Sequence, residues 1–187
     1  MASHVALLRG INVGGRNKVP MAELREVVTS LGHTGVTTYI QTGNVLFTTA
    51  EQDTGQLVSS LEAAITGMFG IKSSVVVLSR DDLALILDRN PYRNEPNPKL
   101  VHVVFLNGEP PPDLLERIKA AQSTVAGKGS RDTVTATGPA LYLHTPDGFG
   151  TSELAQVLLR TAGQAGTAAT ARNWATATKL LSLCEEQ

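Results

Sequence analysis

The chain is poor in the features that usually disclose a function. It has one cysteine, Cys184, among 187 residues, so no disulfide can close within it, which agrees with a reducing compartment. Aromatic residues make up 4%, and the first apolar segment carries none, which excludes the strand aromatics on which common RNA-binding plaits stack bases. The formal net charge is −1 and the isoelectric point about 6.4. A general nucleic-acid binder advertises a basic excess, so this balance disfavours one. No apolar run approaches the roughly 20 residues of a membrane span, so no membrane partner is expected. The apolar run before Arg9 is only four residues long, Val5 to Leu8, too short for a secretion signal, and a cytoplasmic location is expected. His4, His33, His102 and His144 follow no metal-ligand spacing, and no nucleophile elbow is present. No metal is expected, no cofactor is indicated, and no residue pair identifies a reaction. Oligomeric state is not legible.

Apolar residues at 42% and charged residues at 18% form an ordinary globular balance. Residues 4–13 read as a strand ended by Gly14-Gly15. Pro20 suits a helix start, and Leu24, Val27, Val28 and Leu31 follow at helical spacing. Val36–Gln41 and Val45–Phe47 read as strands around the turn residues Thr42, Gly43 and Asn44. Residues 54–69 form an amphipathic helix and 74–78 a buried strand. The order β-α-β-β-α-β is that of the ferredoxin-like plait. Ser79 and Asp82 are spaced to cap a short helix over 81–89. Three prolines in residues 91–98 mark a connector. The order then repeats: strand 100–106, helix 113–122, strands 131–136 and 140–144, helix 152–161, a short extended piece over 167–171, and a closing helix over 173–184. The expected fold is α+β, two successive plaits in a structural duplication. The expected domains are 1–90, a connector 91–99, and 100–187.

Three segments are candidates for chemistry, and the densest, Arg9–Lys18, mixes glycine, amide and basic residues. In Arg9–Lys18, Gly10 and Gly15 fit the frame of a nucleotide P-loop, but Arg16 and Asn17 stand where its Lys and Ser/Thr belong, so a P-loop is rejected. Two readings of this loop compete. It is a ligand loop, or a structural turn in which Asn12 and Asn17 satisfy backbone groups. Residues 147–152 lead into a helix that Thr151 or Ser152 would cap. Thr170–Trp174 sets Arg172 and Asn173 beside the only Trp, suited either to an anion or planar ring, or to a core anchor with Arg172 reaching outward. Residues 1–22 contain Arg9, Arg16 and Lys18 and no acid. His102 and His144 lie on separate strands that could bring them face to face. Cys184, on an amphipathic helix, reads as packing.

The first and third segments also carry a resemblance. Leu7–Gly15 with Asn17, Lys18, Val19 and Met21, then Tyr39–Val45, then Thr170–Trp174 with Thr176, Lys179 and Leu180, resemble in order three signatures of a bacterial family known as domain of unknown function 1697. The resemblance implies a duplicated α+β plait and no catalytic residue. The chain departs from the family's pattern at Thr151-Ser152-Glu153, where a basic residue and a Ser-Lys pair are common, and at Ala175, where Asn is common. Both departures remove polar or basic groups.

The function expected from these residues is binding of a small anionic or nucleotide-like ligand. The site would be lined by Arg9, Asn12, Gly14, Gly15, Asn17, Gln41, Asn44, Arg172 and Asn173, with Arg9 and Arg172 in one pocket. The rivals are a nucleic-acid-binding protein using the same bases and an interaction module without a ligand. The split βαβ topology also predicts that the Gly10–Lys18 loop meets the turn at Thr42–Asn44.

Overall fold

The computed structural model describes residues 1–164 and 166–186. The chain packs as two units, Met1–Ala84 together with the chain from Lys179, and Leu85–Thr178. In the first unit the order is β1 (His4–Leu8), α1 (Met21–Ser30), β2 (Thr34–Tyr39), β3 (Asn44–Thr48), α2 (Thr54–Phe69) and β4 (Val75–Ser79), followed by the start of α3 (Arg80–Asp88). In the second the order is β5 (Val101–Leu106), α4 (Pro112–Gly127), β6 (Thr133–Thr137), β7 (Ala140–His144), α5 (Glu153–Gln164) and β8 (Ala169–Asn173), followed by α6 (Trp174–Glu186).

Each unit is a four-stranded antiparallel sheet in the order of the ferredoxin-like plait, β2-β3-β1-β4 and β6-β7-β5-β8. The α+β duplication read from the sequence is the observed architecture. The central strand β1 is buried along its whole length, as expected of a strand paired on both edges. Its residues Ala6 and Leu8, with Val45, Phe47, Val75 and Val77, pack under Leu24 and Val28 of α1 and Leu57, Leu61 and Ile65 of α2. These apolar positions recur at helical spacing on each helix, so each buries one stripe. Asp53 caps α2 by accepting from the N–H groups of Gly55 and Gln56, and the Ser79–Asp82 pair caps α3 reciprocally. The second unit repeats the plan, with Val104, Leu106, Leu141 and Ala169 under Leu114, Ile118 and Leu158.

Three sequence-based boundaries move. β1 ends at Leu8, not at residue 13, because Ile11 is a buried loop anchor and Val13 an exposed one. α4 continues to Gly127 because Val125 prolongs its buried stripe. The closing helix splits: its end from Lys179 packs with the first unit, where the N–H of Ala2 donates to Cys184 O at 3.1 Å. The proline-rich stretch is held by hydrogen bonds. Tyr142 Oη donates to Ile86 O at 2.7 Å, Tyr92 Oη meets Thr135 Oγ1 at 3.0 Å, and His144 Nε2 meets Glu95 at 2.9 Å. Residues 85–98 therefore belong to the second unit and lie on its sheet.

Candidate functional site

The two plaits supply an internal control on loop length. In the second unit, five residues join β5 to α4 and two join β6 to β7. In the first unit the same connections take twelve residues, 9–20, and four, 40–43. The plait therefore closes with far less chain than the first unit uses at these two places.

The extra chain after β1 is a small hairpin. Val13 and Arg16 form an antiparallel bridge, with Arg16 N donating to Val13 O and Asn12 N to Asn17 O, both at 3.0 Å. Gly14 and Gly15 form its two-residue tip at φ 57° and 74°. Both angles are left-handed, as a tight hairpin turn of the I′ kind requires. The base is fastened by side-chain amides. Asn12 Nδ2 donates to Val19 O and to Gln41 O, both at 2.9 Å, and its Oδ1 accepts from Val19 N at 2.8 Å. Asn17 Nδ2 donates to Gly10 O at 3.0 Å. Asn12 and Asn17 sit at φ 53° and 49°, conformations that asparagine tolerates better than most residues. Buried Ile11 and Val19 pin the two ends of the loop to the core.

The turn after β2 meets this hairpin, as the topology predicts. Leu8 N donates to Gly43 O at 2.8 Å, and the Asn12 amide reaches Gln41 O. Gly43 is required here: a Cβ would lie 2.8 Å from Leu8 Cβ and from Ile11 Cδ1. Asn44 is fully buried, and its Nδ2 donates to Tyr39 O and Thr42 Oγ1. Ile40 is held at φ 50°. A β-branched residue there is strained by about 1 to 3 kcal/mol, a cost that persists only when neighbouring contacts dictate the conformation.

The amides of Asn12, Asn17 and Asn44 are thus engaged with backbone and shape the loops. What the pair presents outward is the glycine tip, Gln41, the aliphatic side chains of Val13 and Ile40, which are 62% and 47% exposed, and the exposed cations Arg16 and Lys18. Neither Arg16 nor Lys18 has an ion pair among the described residues. Arg9 is half-buried at the base, where its N–H donates to Ser74 O and its carbonyl accepts from Ser73 Oγ.

Arg172 and Asn173 lie in the second unit and are placed differently from the hairpin cations. Arg172 is buried, Nη1 donates to Thr170 Oγ1 and Ala171 O, both at 2.8 Å, and burial lowers its guanidinium to about 10. Asn173 Oδ1 accepts from Thr176 N and caps α6. Ser152 Oγ does the same for Ala155 N at the start of α5, and also donates to the buried Asp132 at 2.7 Å. His102 and His144 do not face each other. They pair with Leu143 and Val101 across β5 and β7, so they point to opposite sides of the sheet. His102 stacks on Phe149 with centroids 3.8 Å apart, and burial pushes its imidazole down to about 4. Cys184 is buried and its thiol is raised to about 11, which leaves it unreactive. Among the described residues no three His, Cys, Asp or Glu side chains are grouped to hold a metal ion, and no helix is long and apolar enough to cross a membrane.

The sequence reading missed Arg16 and Lys18 as outward groups and missed Ile40 altogether, because Ile40 looks like the end of a strand. The unequal loop lengths of the two halves were the available signal.

The family described as "Protein of unknown function (DUF1697)" matches residues 1–142. A solved structure of a conserved bacterial protein from Streptococcus pneumoniae is similar over 98% of each chain, at 23% identity and a TM-score of 0.66; at that identity the likeness concerns the fold. No curated protein matches the chain.

Proposed function

We propose, for a chain that belongs to this family of proteins of unknown function, a binding role in which the fastened loop pair of the first unit recognises the anionic group of a nucleotide-like ligand. The observation that supports this reading is the loop pair itself. Its length exceeds what the sister unit needs, its backbone is fixed by amide hydrogen bonds, and its exposed groups are a glycine tip and the cations Arg16 and Lys18 in a segment without acid. Fixed N–H groups and cations cost little to organise around a phosphate or carboxylate. Arg9, Gly14, Gly15, Arg16 and Lys18 are the groups that would meet the anion. Asn12, Asn17 and Asn44 hold the backbone in place, and Gln41 is fastened through its carbonyl. The reading rests on the first unit alone.

The test is thermal unfolding in a panel of nucleotides, inorganic pyrophosphate and phosphorylated sugars. A ligand that binds only the folded state raises the melting temperature. Arg16→Ala and Lys18→Ala should diminish that rise while leaving the ligand-free melting temperature within a few degrees. A panel in which no anion shifts the wild type contradicts the reading.

A further inference from the structure

A small cleft of about 310 Å³ lies wholly within the second unit, between the end of α4 and the start of α5. Its walls are fixed by backbone hydrogen bonds. After α4, Lys128 N and Ser130 N both donate to Val125 O at 3.0 Å; before α5, Gly148 N donates to Thr145 O at 2.9 Å and Ser152 N to Phe149 O at 3.2 Å. Asp132 lines this cleft and is only 6% exposed. One of its carboxylate oxygens, Oδ2, accepts from Ser152 Oγ at 2.7 Å. The other, Oδ1, accepts from no group among the described residues, yet the atom is not enclosed. A carboxylate this buried, with an unused oxygen, costs free energy unless an opposite charge meets it. The neighbouring cations are already engaged: Arg131 holds Asp147, and Lys128 holds Glu153.

We infer that this cleft takes the primary ammonium group of a small alkyl amine, with Asp132 Oδ1 as its counter-charge. This binding role is separate from anion recognition by the first unit. The donor set selects the chemistry. A guanidinium pairs best with both oxygens of a carboxylate through its planar fork, and here Ser152 occupies one. A quaternary ammonium is held by aromatic faces, and none of the lining residues is aromatic. Calcium takes about six to eight oxygen ligands, and no three His, Cys, Asp or Glu side chains among the described residues are grouped to hold a metal ion. An alkyl ammonium is a compact point charge with three donors. One of them meets Oδ1. Thr151 Oγ1, whose own hydrogen goes to Asp147 O or Gly148 O, keeps lone pairs for a second. Val125 in the lining gives the alkyl chain an apolar neighbour. The volume stands at the small end of ligand sites, which run from about 300 to 1,000 Å³, so that chain is short.

The experiment is a backbone amide chemical-shift titration of the full chain with n-butylammonium chloride at constant ionic strength. n-Butanol and the chlorides of tetramethylammonium, potassium and calcium are titrated beside it. n-Butylammonium should give saturable shifts at residues 125–132 and 147–153, and the other four weaker ones or none. Asp132→Asn keeps an acceptor for Ser152 and should weaken binding about tenfold or more, as loss of a charge-assisted hydrogen bond implies. Lys128→Gln alters an exposed side chain and releases Glu153, so it should tighten binding about two- to fivefold. Equal shifts from n-butanol would make the contact apolar, and equal shifts from the other cations would make the site unselective; either result overturns the inference. So does the absence of a saturable shift, or an Asp132→Asn variant that binds as the parent does. If Asp132→Asn does not fold, Lys128→Gln decides alone: unchanged or weaker binding of n-butylammonium overturns it.

Discussion

Gly43→Ala is the perturbation that probes the junction of the two loops most sharply. The glycine sits at φ 84°, and a Cβ there would lie 2.8 Å from both Leu8 Cβ and Ile11 Cδ1 and 3.1 Å from Ile11 Cγ1. Leu8 and Ile11 are both 1% exposed, so neither can swing into solvent. The left-handed conformation alone costs an alanine about 1 to 2 kcal/mol. Overpacking a filled core adds about 1 to 3 kcal/mol. Gly14→Ala is the matched control: φ is 57°, and nothing lies within 4 Å of its added Cβ, so it should cost only the conformational part, about 1 to 2 kcal/mol. Ile11→Val deletes the Cδ1 methyl and should relieve part of the Gly43→Ala cost, leaving a coupling of about 1 kcal/mol in a double-mutant cycle. Urea unfolding followed by circular dichroism gives the free energies. Amide exchange on β1 and β3 assigns the loss to the first unit. Equal costs for Gly43→Ala and Gly14→Ala, or no coupling with Ile11→Val, would refute the close approach of the two loops.

Other outcomes follow from the same contacts. Asn12→Ala should destabilise the first unit by about 2 to 4 kcal/mol, since it leaves the buried Val19 N–H unpaired and places alanine at a left-handed φ; Asn12→Gly should cost about 1 kcal/mol less in the same urea titration. Ile40→Gly should raise stability by up to about 1 kcal/mol in the urea titration, because it releases the left-handed strain. Burial holds the His102 imidazole at about 4, below its ordinary value of 6.5. The unfolded chain then binds the extra proton, so this contribution is complete above pH 6.5 and is lost as pH falls toward 4. His102→Gln should flatten the dependence of melting temperature on pH across that window.

The fold was largely legible because its signals are local and repeated. Alternating β-branched runs, helical stripes such as Leu57, Leu61 and Ile65, and a second round of the same order specify the plait with little help from long-range contacts. The convergence of the two loops was legible as well, because strand order fixes which ends meet. The site was less so. Ile11 and Val13 look alike in sequence, yet one is 1% and the other 62% exposed, since the difference depends on a hairpin set by left-handed asparagines that no periodicity reveals. Arg172 and Arg16 are equally basic in sequence. Only packing separates the buried guanidinium held by Thr170 and Ala171 from the exposed one on the hairpin. The closing helix reads as one apolar stripe, and nothing in that stripe tells that its end packs with the first unit.

The central claim is that the loop pair of the first unit is where an anion is met. The most direct measurement is a backbone amide chemical-shift titration of the full chain with inorganic pyrophosphate, the simplest probe of the group recognised. The account predicts saturable shifts concentrated at Gly10–Lys18 and at residues 40–43, abolished in the Arg16→Ala, Lys18→Ala double variant. Shifts confined to residues 100–178, or no saturable shift anywhere, would contradict it.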